Sequence, residues 1–196
     1  LLPEELYVTD ELARAYAKTS QLDKAITLYR EFLEKNPESE NALYNLANFL
    51  GRKGEHFEAI DIFSSLLGRD IDHAEEVHLN LSNLYSEGPK LYSKSKKHLD
   101  QALVIDPHYE PAWFNLGNLN EQLGDLSEAK KCFEKVISIG DKGGGALARL
   151  ADLTRFDEED ASALIEKMER NLHLKESPNP DLMFSLGRAY EQIGEY

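Results

Sequence analysis

A leucine followed by a small residue recurs at a near-constant interval at six places in this chain of 196 residues, Leu12-Ala13, Leu46-Ala47, Leu81-Ser82, Leu116-Gly117, Leu150-Ala151 and Leu186-Gly187. The steps between pairs are 34, 35, 35, 34 and 36 residues. So regular a period constrains the fold more than local propensity does. Each period must be one supersecondary unit that hides its apolar face only by stacking on its neighbours. With the leucine as seventh residue, units start at 6, 40, 75, 110, 144 and 180.

Other positions fall into phase. Three residues past the small residue stand Tyr16, Leu50, Tyr85, Asn120, Thr154 and Tyr190. A second small residue follows at Ala25, Ala59, Ser95 and Ala129, and four residues on come Tyr29, Phe63, Leu99 and Phe133. Loop glycines stand at Gly54, Gly124 and Gly194, and Pro37 and Pro107 close two units. Apolar residues spaced near 3.6 predict two amphipathic helices per unit, as Leu12, Tyr16, Ala25, Leu28, Tyr29 and Phe32 illustrate. Two units are irregular. The third carries Gly88-Pro89 and one extra residue in its turn. The fifth has a second helix expected after Asp157, through Ala161, Leu164, Ile165, Met168 and Leu172, before Ser177-Pro178-Asn179-Pro180 breaks the chain.

The pattern resembles the tetratricopeptide repeat, most fully in the fourth unit, with Trp113-x2-Leu116-Gly117 and Ala129-x3-Phe133. That unit departs from the family at Asn120, where an aromatic is usual, and at Asp141, where proline is usual. The resemblance covers nearly the whole chain. It implies an all-α, right-handed superhelical solenoid over residues 1–196, of five helix pairs and a final single helix. The first helix of each pair is then expected to line an inner wall, at repeat positions 2, 5, 6, 9, 12 and 13.

Units two, three and four place the same phrase on that wall: Tyr44-Asn45-Leu46-Ala47-Asn48, Leu79-Asn80-Leu81-Ser82-Asn83 and Phe114-Asn115-Leu116-Gly117-Asn118. A separation of three puts each asparagine pair on one helix face. Asparagine is a poor helix former, so six at matching sites call for a reason. A carboxamide both donates and accepts, which matches the backbone of an extended peptide. The phrase is similar to the asparagine ladder of the protein O-glycosyltransferase superhelix. The alternative is that these amides bond neighbouring helices or echo repeat duplication. Tyr44, Leu79 and Phe114 precede the asparagines, as apolar pockets for a ligand or as packing against the next unit.

A rival groove chemistry in the family is the carboxylate clamp for acidic chaperone tails. Asn83, Asn115 and Arg149 match it, but Leu79 and Gly145 occupy both of its lysine sites, which argues against such tails. Arg149, Arg155 and Arg188 are expected to make one end of the groove locally basic, and Arg14, Lys18 and Arg52 the other; the alternative is solvated charge without a fixed partner.

Composition narrows the partners. Lys and Arg number 22 against 36 Asp and Glu, a net charge of −14 that repels a phosphate backbone and argues against nucleic acid. No apolar run reaches the roughly 18 residues a membrane span needs. A single cysteine, Cys132, fits a reducing, cytoplasmic setting and reads as a small core filler. His56, His73, His78, His98, His108 and His173 show no metal-ligand spacing, so no metal or other cofactor is expected. Gly140-Asp141-Lys142-Gly143-Gly144-Gly145 lacks the Lys-Ser/Thr of a phosphate loop and reads as an inter-repeat connection. The run Asp157-Glu158-Glu159-Asp160 reads as the acidic start of a helix. No catalytic residue is assigned.

The leading expectation is a protein-binding module that takes an extended segment along Asn45, Asn48, Asn80, Asn83, Asn115 and Asn118. Residues 144–196 also look like the region joining repeats to the catalytic domain in bacterial tetratricopeptide–sulfotransferase fusions. That likeness implies the alternative of a substrate-recruiting part of a larger transferase, a sulfotransferase or a protein glycosyltransferase, with a catalytic domain downstream. The sixth unit stops at Tyr196 after its first helix, so its apolar face is expected to be a contact surface open to self-association.

Overall fold

The computed structural model describes residues 2–140, 144–156, 162–173 and 179–194. Among them lie eleven α-helices: α1 (Leu2–Lys18), α2 (Leu22–Lys35), α3 (Glu40–Lys53), α4 (His56–Leu66), α5 (Ala74–Glu87), α6 (Tyr92–Ile105), α7 (Glu110–Gln122), α8 (Leu126–Ile139), α9 (Gly145–Asp152), α10 (Ser162–His173) and α11 (Pro180–Ile193). They are five pairs and a last single helix. The first helices of units two to six begin within one residue of 40, 75, 110, 144 and 180; α1 begins four residues ahead of position 6. Asp157-Glu158-Glu159-Asp160, Asp141 and Ser177-Pro178 lie outside the described residues.

The chain forms two compact units, Leu1–Pro107 and His108–Tyr196. In the first, the core runs through the small residues Ala13, Ala25, Ala47 and Ala59, which let paired helices approach, and through Tyr29, Leu50, Phe63 and Leu81. The third pair replaces the two alanines with Ser82 and Ser95, whose buried hydroxyls share a hydrogen bond of 2.8 Å. Gly54 ends α3 in the left-handed region at φ 93°, where a side chain would strain the backbone.

In the second unit, the α7–α8 crossing depends on Gly117. A Cβ there would lie 2.6 Å from the ring of Phe133, which is wholly buried. Asn120, at the position where the family places an aromatic, is buried and directs its amide at the Cys132 sulfur at 3.7 Å. Cys132 is buried as a core filler should be, and is also a polar partner. The helix α11 starts at Pro180 under an Asn179 cap that accepts from the backbone N–H groups of Asp181 and Leu182. On α11, Met183 and Phe184 are exposed, with the Arg188 guanidinium over the Phe184 ring.

Candidate functional site: the first-helix face

Within Leu1–Pro107, side chains of α1, α3 and α5 meet along one line. The Asn45 amide donates to Asp10 Oδ1 at 3.1 Å, and the Asn80 amide donates to the Tyr44 hydroxyl at 2.9 Å. In both cases position six of one repeat bonds position five of the repeat before it. One N–H of each amide therefore ties adjacent repeats together. The remaining N–H and the carbonyl are further bonding capacity of the group. Asp10 also accepts from the Tyr29 hydroxyl at 2.7 Å, so one carboxylate oxygen joins three helices. Burial, then Asp10, pushes the Tyr29 hydroxyl pKa up.

Tyr44 is the hub of the second link. Its ring meets Phe63 edge-on at 5.5 Å, within its own pair of helices. Its hydroxyl accepts from Asn80 and donates to Glu76 Oε2 at 3.2 Å. Burial raises the pKa of this hydroxyl, opposed by the Asn80 bond and reinforced by Glu76, so the proton stays available for donation. Asn83 is half-buried on the same helix as Asn80 and also has an interaction partner.

Tyr44 borders a cavity of about 490 Å³ lined by Glu38, Ser39, Glu40, Asn41, Leu66, Ile71, Asp72, His73, Glu76 and Val77. No motif in the sequence marks this cavity. Its elements come together only when the α2–α3 and α4–α5 connections close on the starts of α3 and α5. The acidic residues at the heads of units two and three were the signal.

In the second unit, Phe114 packs edge-on to Phe133 at 5.7 Å. Asn115 and Asn118 are half-buried on α7, and Asn115 has an interaction partner. Arg149 donates to Glu121 Oε2 at 2.6 Å, and Arg188 pairs with Asp152. Arg14 pairs with Glu11, and Arg52 lies over the Phe49 ring. The arginines expected to make the groove ends basic thus have partners, Arg155 included. Among the described residues, no three His, Cys, Asp or Glu could hold a metal ion, and no helix is long and apolar enough to cross a membrane.

Sequence models of the tetratricopeptide repeat match residues 11–74 and 110–139. The chain carries tetratricopeptide repeats and folds as a tetratricopeptide solenoid. Over 139 residues it is 27% identical to the tetratricopeptide repeat-containing protein trd-1 of Caenorhabditis elegans, covering 71% of this chain and 17% of that protein. The chain thus spans about a sixth of that relative's length. Among solved structures, pilF of Pseudomonas aeruginosa superposes with a TM-score of 0.74 at 20% identity, over 98% of this chain and 87% of that one. YrrB, described as a tetratricopeptide repeat protein with an unusual peptide-binding site, superposes with a TM-score of 0.59 at 19% identity, over 91% and 88%. The likeness of residues 144–196 to sulfotransferase fusions finds no support in these relatives.

Proposed function

We propose that the chain is a protein-interaction module whose first-helix face in Leu1–Pro107 binds an extended segment of a partner through the amides of Asn48, Asn80 and Asn83. Tyr44 supplies an apolar wall. The observation that carries this reading is the Asn80–Tyr44–Glu76 chain of hydrogen bonds, which holds these side chains in fixed orientations on one face. Amides held this way meet a guest backbone without losing further side-chain entropy. Asn45 and Asn80 serve a double role, tying repeats together while offering their remaining N–H and carbonyl. Asn115, Asn118, Phe114 and Arg149 form the corresponding row of the second unit. Partners are proteins or peptides, and the module acts by binding, as tetratricopeptide scaffolds do as a class.

Each productive amide contributes roughly 1 kcal/mol net, so the three together supply about 3 kcal/mol of the binding, with apolar contact to Tyr44 adding to it. A displayed library of linear dodecapeptides, selected against the chain and re-measured by fluorescence anisotropy, tests the reading. Asn48→Ala with Asn83→Ala is expected to weaken the selected peptides by about ten-fold with helicity unchanged. Selected peptides that bind the double variant as tightly as the parent chain would refute it.

A further inference from the structure

The cavity beside Tyr44 has a two-part lining. Its floor is apolar, with Leu66 1% exposed and Val77 2% exposed, joined by Ile71 and the Tyr44 ring. Its rim carries four carboxylates, Glu38, Glu40, Asp72 and Glu76, and no lysine or arginine. Glu38 is met by Arg69 at 3.0 Å. Among the described residues, no Lys or Arg pairs with Glu40, Asp72 or Glu76. His73, also in the lining, meets Glu75 at 3.2 Å.

Two helix starts, those of α3 and α5, face this space, and each carries about half a positive charge. Three carboxylates without a cationic partner outweigh them, on a chain whose net charge is already −14. The carboxylates do not converge on a point: no three acidic or histidine side chains among the described residues could hold a metal ion. A spread-out acidic rim above an apolar floor suits a cation that is larger than an ion and has a hydrocarbon stem.

We propose that this cavity seats a Lys or Arg side chain carried by an extended partner segment, the aliphatic stem on Leu66, Ile71, Val77 and Tyr44 and the charged head among Glu40, Asp72 and Glu76. The proposal rests on the reading above, that the first-helix face takes an extended segment, and gives that segment a basic residue at a fixed place. Continuity comes from Tyr44, which lines the cavity and is bonded to Asn80 on the proposed peptide face.

The test compares two labelled decapeptides, alternating Ala-Lys and alternating Ala-Gln, by fluorescence anisotropy at about 0.15 M salt, where distant charges are screened. The Lys peptide is expected to bind at least about five-fold tighter. Glu76→Gln with Asp72→Asn is expected to abolish that preference. Glu34→Gln with Asp61→Asn removes the same charge from exposed sites outside the cavity and is expected to preserve it. Circular dichroism checks that all variants stay helical. No preference, a preference that survives the cavity variant, or one lost equally in the control variant overturns the proposal. None of these outcomes touches the response of library-selected peptides to Asn48→Ala with Asn83→Ala, so the two readings fail separately.

Discussion

Ser82 and Ser95 occupy the sites that the second unit fills with Ala47 and Ala59. Each hydroxyl is tolerable at a buried helix crossing because the other satisfies it. Ser82→Ala is therefore expected to cost about 1 kcal/mol by stranding the Ser95 hydroxyl, while Ser82→Ala with Ser95→Ala returns close to the parent stability by recreating the alanine pair. Urea unfolding midpoints of the two single variants and the double variant check this; additive losses would contradict it. The repeat phase located both small residues in the sequence, but not their bond, because periodicity reports size at a position and says nothing of the partner across the crossing. Asn120 teaches the same lesson: it stood out as a departure from the family, and only packing reveals the sulfur it faces.

At the scale of the element, the α5–α6 pair carries a histidine couple that lies outside the proposed binding face. His78 Nδ1 and His98 Nδ1 are 2.9 Å apart, and Tyr85 stacks on His98 with ring centroids 5.4 Å apart. A hydrogen bond between two imidazole nitrogens needs one of them unprotonated. Burial, then the charges of His78, Lys97 and Lys94, lowers the His98 pKa from 6.5 to about 4; burial lowers that of His78 as well. Folding thus favours the neutral forms. The unfolded chain takes up the His98 proton first as pH falls below 6.5, and the folded chain only near the depressed value of about 4. The contribution is whole above the unfolded value and is lost as pH drops through that window, by about 1–2 kcal/mol after allowing for partial exposure. Melting curves between neutral pH and the lower end of the window are expected to show a smaller acid sensitivity in His98→Phe than in the parent chain. Equal sensitivity would contradict it. Metal-ligand spacing along one helix does not reveal the couple, because its members sit 20 residues apart on α5 and α6.

For the whole molecule, the period revealed most of the architecture: helix number, pairing and starts follow from where leucine and small residues recur. The face of α1, α3 and α5 was legible in part. The repeated asparagines were visible, yet their division of labour was not, since it depends on what position five of the preceding repeat offers. Asp10 and Tyr44 can both accept a hydrogen bond there, and each takes one from the next repeat's asparagine. The cavity was invisible because its rim is assembled from two loops and two helix starts.

The central claim is that Asn48 and Asn83 meet a guest backbone, and their side-chain NH₂ resonances report it most directly. In a titration with a library-selected linear peptide, both pairs of resonances are predicted to move on binding, while those of Asn36, bonded to the Phe32 carbonyl at the end of α2, stay in place. A saturated complex in which the Asn48 and Asn83 amides have not moved, or in which the shifts gather on α2 and α4 instead, would contradict the account.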